Sequence, residues 1–194
     1  MNGLVVLKTG LLGSLPGTGT LVIDGPVTCT GPVVFPSSLR VVFTDRGRVV
    51  FANDQASVRF LLSIEAGAYP IFETGLPTAQ GTPRVLFDAS SGQGTVRADW
   101  WGASGAVTTL AQASRNAAAI RAAVASLPSL PDGLGIGGSA PTGVGRFGSG
   151  TYFLNEPIAL SGRISIEGRA LDRSEFRPTD DQPVPEPPLD GATR

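Results

Sequence analysis

Apolar and polar residues alternate along most of the chain, in runs too short for an ordinary sheet. From Gly19 to Asn53 the inward candidates are Leu21 and Ile23, Val33 and Phe35, Leu39, Val41 and Phe43, then Val49 and Phe51. This is the two-residue period of a strand with one buried face. The runs break at Gly25-Pro26, Gly31-Pro32, Pro36-Ser37-Ser38 and Asp45-Arg46-Gly47, residue types that make turns through free or fixed φ and local side-chain hydrogen bonds. Two architectures share the rhythm. One is a solenoid, each strand stacking on the equivalent strand of the next coil; the other is a meander of tight hairpins, with "TDRGR" as one turn. The shortness of the runs favours the solenoid.

Between Gln55 and Arg97 further strands are expected around "VRFLLSIEA", "YPIFE" and "RVLFDA". The same rhythm returns from Gly145 to Pro178, at Phe147, at Tyr152 and Leu154, at Ile158 and Leu160, at Ile164 and Ile166, and at Phe176. Between these blocks the period changes. Leu110, Ala113, Ala117, Ile120, Val124 and Leu127 recur at three- and four-residue steps, which places them on one face of a helix. Thr109 with Gln112 predicts a capping box at its start. Pro128 and Pro131 end it, since proline has no N–H and pushes the preceding residue out of the α region. The stretch "SLPDGLGIGGSAPTGVG" that follows, residues 129–145, reads as a long Gly/Pro/Ser loop protruding from the body.

Composition narrows the chemistry. With 41% hydrophobic and 16% charged residues among 194, the chain has enough apolar material for a buried core. The net charge of −1 and the lack of a basic run give nucleic-acid binding no electrostatic support. Histidine is absent, which removes imidazole acid–base catalysis, His-paired nucleophiles and His metal ligands. The single Cys29 rules out an intrachain disulfide and reads as a small apolar residue in a strand. No run reaches the eighteen or so apolar residues of a membrane span. The start of the chain lacks a basic segment and Lys8 interrupts its apolar run, so a signal peptide is not expected. "GLGIGG" follows no predicted strand, and "LPGTGT" lacks the lysine of a phosphate loop; neither is assigned a nucleotide.

Several pieces then fall in a non-generic order. Trp100-Trp101-Gly102-Ala103, an Ala-rich helix around Ile120, Gly150-Thr151-Tyr152, Pro157 and the segment Ile164 to Gly168 follow one another, with "SIEAGAYPIF" (Ser63 to Phe72) upstream. Over roughly Leu62 to Arg173 the chain resembles the N-terminal part of the pectate-lyase-like right-handed β-helix proteins of the bacteriophage tailspike type. Two departures stand out: Ser104 to Thr109 replaces the acidic run common before the helix in that family, and there is room for only about two coils after it. The resemblance implies a mainly β fold, a short right-handed β-helix with one α-helix capping its open N-terminal end and extended termini. The expected division is a docking segment over 1–18, a β-rich block over 19–97, the capping helix and short β-helix over 98–178, and a proline-rich acidic tail over 179–194.

The implied function is that of a non-enzymatic virion structural protein, a homotrimer attached to other virion proteins (capsid, portal or tail adaptor), with host surface polysaccharide as a further candidate partner. A small polysaccharide lyase or hydrolase and a non-catalytic carbohydrate-binding module are the alternatives. For catalysis the available carboxylates are Glu156, Glu167, Asp172 and Glu175. Glycoside hydrolysis needs two of them facing each other across a groove. No aromatic sugar platform accompanies these four, and they are read as solvated surface charge. Asp180-Asp181 is read as a solvating part of the tail rather than a metal site. Trp100 and Trp101 are read as buried packing at the strand-to-helix junction. No catalytic, cofactor-binding or metal-binding residue is assigned, and no cofactor is expected.

Overall fold

The computed structural model describes residues 3–73, 83–106, 109–131, 139–147, 150–158, 163–167 and 174–178. Its first block contains β1 (Leu4–Leu7), β2 (Gly10–Leu11), β3 (Gly19–Ile23), β4 (Pro26–Cys29), β5 (Pro32–Phe35), β6 (Leu39–Phe43), β7 (Arg48–Phe51), β8 (Ser57–Phe60), β9 (Ile64–Glu65), β10 (Phe72–Glu73) and β11 (Val85–Phe87). The fold is mainly β, and consecutive strands of this block do not pair with each other. They deal themselves in turn into three parallel sheets, ordered β1-β3-β6-β9, β2-β4-β7-β10 and β5-β8-β11. The hairpin reading of "TDRGR" is therefore wrong: β6 pairs with β3 and β9, and β7 with β4 and β10. The segment set apart as 1–18 already contributes β1 and β2 to these sheets. "VRFLLSIEA" is not one strand but two, β8 and β9, which belong to different sheets.

The registers bring like residues over like. Leu21 faces Val41, which faces Ile64; Val27 faces Val49, which faces Phe72; Phe35 faces Phe60, which faces Phe87. All nine side chains are buried, Leu21, Phe35, Val41 and Val49 among them as their alternation predicts. Phe35 and Phe60 stack at 4.4 Å between centroids, and Phe60 and Phe87 at 5.1 Å, an arrangement that adds to the area term of aromatic burial. The backbone bonding continues round the corners. Asp24 N–H donates to Leu7 O at 2.8 Å, Thr44 N–H to Ile23 O at 3.0 Å and Asp88 N–H to Phe60 O at 2.9 Å. Two corners pass so close to the neighbouring strand that only glycine fits. A Cβ on Gly25 would lie 2.0 Å from Lys8 O, and one on Gly47 would lie 1.9 Å from Ile23 O.

The second block contains β12 (Thr95–Arg97), α1 (Leu110–Ser126), β13 (Ser129–Pro131), β14 (Ser139–Arg146), β15 (Gly150–Leu154), β16 (Arg163–Glu167) and β17 (Ser174–Pro178). β12, β14 and β16 form one parallel path, and β15 pairs in parallel with β17. The expected loop 129–145 is instead an antiparallel pairing of β13 with β14 at its two ends, Ser129 opposite Pro141. Its glycine-rich middle, 132–138, lies outside the described residues. Gly143 allows the close fit here: a Cβ would meet Leu127 Cδ2 at 2.7 Å and Gly94 O at 2.9 Å.

The two blocks share one core. Trp100 and Trp101 occupy a 3-10 turn, Ala98–Trp101, and are only 3% and 4% exposed. Trp101 meets Phe72 at 4.9 Å between centroids, Trp100 meets Phe87 at 6.3 Å, and Trp100 Nε1 donates to Gly67 O at 2.9 Å. Gly102, at φ 87°, takes the left-handed conformation that turns the chain out of this element. The helix packs against β11 of the first block as well as β12, β14 and β15 of the second. It sits at the junction of two blocks of strands, whereas the resemblance implies a cap on an open N-terminal end. Ala113, Ala117, Ile120 and Leu127 are buried as predicted, but Leu110, the first residue of α1, is exposed. Half of the capping box forms. Thr109 Oγ1 accepts from Gln112 N–H at 3.2 Å, while the Gln112 amide turns inward to Gly102 O and Asn116 Oδ1.

Candidate functional site

Outward positions of the parallel sheets carry the charges, and register decides their partners. Arg40 of β6 donates through Nε and Nη2 to both carboxylate oxygens of Glu65 on β9, each at 2.7 Å. Arg48 reaches Glu73, Arg46 reaches Asp24, Arg59 reaches Asp88 and Arg84 reaches Asp54. Each pair joins one strand level to the next. In three of them the pairing lowers the pKa of the carboxyl. Arg40 beside Glu65 holds that carboxyl below its usual range, and a hydrogen bond from Thr44, with Arg46 beside it, does so for Asp24. Hydrogen bonds from Arg59 and Ser90 lower Asp88 to about 2.

At the starts of β3, β6 and β9 the outer surface forms an open groove of about 590 Å³, lined by Thr18, Thr20, Ser37, Ser38, Arg40, Leu62, Ser63 and Glu65. Its lining combines the Arg40–Glu65 pair with hydroxyl side chains from successive levels. An ionised carboxylate bound at both oxygens has no proton to give and little basicity to offer. The groove is equipped to hydrogen-bond a polar ligand rather than to transfer protons.

Of the carboxylates singled out from the sequence, Glu156 and Glu167 each pair with an arginine rather than with one another. Glu156 Oε1 accepts from Arg121 Nη1 of α1 at 2.7 Å, and this bond lowers its pKa. Glu167 on β16 faces Arg146 on β14 in register, Oε2 accepting from Nε at 3.1 Å. Glu175 lies on β17 opposite Thr151. Asp172, Asp180 and Asp181 lie outside the described residues. Cys29 is buried and free; its thiol donates to Gly31 O at 3.0 Å, and burial pushes its pKa up. Among the described residues no group of three His, Cys, Asp or Glu comes together as a metal site, and no helix is long and apolar enough to cross a membrane.

Two polar clusters escaped the sequence reading. Buried Asp99, between the strand β12 and the tryptophans, accepts from Tyr152 O–H at 3.3 Å and approaches Arg97 Nε at 3.6 Å. Among the described residues neither Asp99 Oδ2 nor Arg97 Nε has a hydrogen-bond partner. Asn116 lies wholly buried on the alanine face of α1. Its Oδ1 accepts from Ser104 N–H and Gln112 Nε2, and its Nδ2 donates to Ser104 O and to Phe153 O, each at 3.1 Å. The available signal was a polar residue on an otherwise apolar helix face, because a buried amide must be satisfied somewhere. Both clusters lie within the second block, while the groove opens to solvent. Comparison with family models, with curated proteins and with solved structures finds no match for this chain.

Proposed function

We propose that the chain is a short right-handed β-helix of the tailspike type, serving as a non-enzymatic structural component of a virion and assembling as a trimer. The observation that carries this reading is the dealing of successive strands into three parallel sheets with like residues in register. A solenoid accounts for that order directly, since each circuit of the chain adds one strand to every sheet. The non-enzymatic part is supported by the ion pairs that occupy Glu156 and Glu167. Attachment to other virion proteins falls to the acidic, proline-rich stretch 179–194, whose composition suits an extended segment that orders on a partner.

A carbohydrate-binding module is the second reading, favoured by the hydroxyl-lined groove beside Arg40 and Glu65. Light scattering coupled to size-exclusion chromatography tests the main reading, with a trimer as the expected result and a folded micromolar monomer as the contrary one. Incubation with host surface polysaccharide tests the chemistry. No new reducing ends and no unsaturated products are expected. Turnover lost in Glu156→Gln or Glu167→Gln would establish an enzyme instead.

A further inference from the structure

A sheet with one face on the core carries polar residues on the other, and in two of the three sheets here polar residues interrupt the outward apolar ones. In the second sheet the outward row runs Leu11, Thr28, Val50, Glu73, with Thr28 between the two apolar residues, and in the third Arg59 separates Val34 from Leu86. The first sheet departs from it. Val6 of β1 faces Val22 of β3, which faces Val42 of β6, so an unbroken valine column crosses three strands on the outer face. Leu4, 67% exposed, stands beside Val6, which is 46% exposed. The column ends at Glu65, opposite Val42, where the ion pair to Arg40 begins.

We propose that this column is the surface through which copies of the chain meet. The inference rests on the trimeric reading above and adds which face makes the contact. The occupant follows from the spacing and the charge. Methyl groups repeating at the strand separation of about 4.8 Å interlock at every level only with a surface of the same pitch, and another parallel stack lying alongside has it. The flanking Arg40–Glu65 pair is internally balanced and the chain carries a net charge of only −1, so copies approach without strong repulsion. Around a three-fold axis parallel to the column, the valines form the desolvated centre of the contact and the Arg40–Glu65 pairs its polar rim.

The test compares the full chain with Val22→Lys/Val42→Lys, with the milder Val22→Thr/Val42→Thr, and with Thr28→Lys/Val50→Lys at matching outward positions of the second sheet. Mass is measured by light scattering across a dilution series, and fold by far-ultraviolet circular dichroism. The expected result is a trimeric wild type and a trimeric Thr28/Val50 variant. The lysine variant at Val22 and Val42 becomes a folded monomer, and the threonine variant dissociates at about tenfold higher concentration. Should the lysine variant unfold, the threonine variant decides, and dissociation unchanged from wild type overturns the assignment. A persistent trimer in the lysine variant, or dissociation of the Thr28/Val50 variant alone, moves the interface to another face while the trimer stands. A monomeric wild type removes the trimer itself.

Discussion

Asn116 shows how much one side chain carries where α1 meets β15 and the loop before the helix. All its hydrogen-bonding groups are used, on a helix whose buried residues are otherwise alanines, Ile120 and Ser126. Asn116→Ala strands Ser104 N–H and the carbonyls of Ser104 and Phe153 in a buried place, at a cost of about 2–5 kcal/mol. Asn116→Asp keeps the shape but turns the donor that faces two carbonyls into an acceptor, and it should be as damaging at neutral pH. Urea denaturation of both variants checks this; a loss below about 1 kcal/mol in either would mean that the site relaxes and repairs itself. The tryptophan pair needs no such reading, because burial alone explains it.

At the level of elements, the inward side chains were legible and their partners were not. Leu21, Val41 and Phe43 announce themselves by alternation, which is a local property. Nothing local says that Thr20 lies beside Arg40 rather than folding back on its own neighbour. The split of "VRFLLSIEA" was hidden for the same reason, since a corner made of Leu61 and Leu62 lacks the glycine, proline, asparagine or aspartate that marks most of the others. The groove was hidden because it is assembled from residues on three strand levels, and the hairpin of β13 with β14 because its signal is buried among glycines and prolines. Corners where glycine does appear carry a sharper requirement. In Gly47→Val the new Cβ meets Ile23 O, so β6 and β7 must part from the level below, and stability should fall by at least about 2 kcal/mol. Gly13→Ala, with nothing near its Cβ, should stay within about 0.5 kcal/mol of wild type. Thermal melts of the pair measure the contrast, and equal effects would refute the close-approach argument.

For the whole molecule, the charge pairs that tie level to level set its response to acid. Asp24, Glu65, Asp88 and Glu156 all have pKa values lowered in the folded chain, through hydrogen bonds from Thr44, Arg40, Arg59 and Arg121 respectively. A lowered folded pKa means that the unfolded chain takes up protons first as pH falls. The stabilisation is therefore complete above the ordinary values of 3.8 for aspartate and 4.5 for glutamate, and it drains away towards about 2, where Asp88 titrates. The melting temperature should be flat from pH 7 to about 5 and drop steeply below about 4. A profile unchanged down to pH 3 would mean that these exposed pairs contribute nothing. The shared register has a different consequence, for how the length of such a chain changes. Removing residues 24–43 joins Ile23 to Thr44 and sets Leu21 and Ile23 where Val41 and Phe43 were, every inward residue still facing inward. Removing residue 44 as well turns β3 over and sends its apolar side to solvent. The first truncation should melt cooperatively at a lower temperature and the second should not fold, so a molecule built this way is shortened or lengthened by whole storeys, never by part of one.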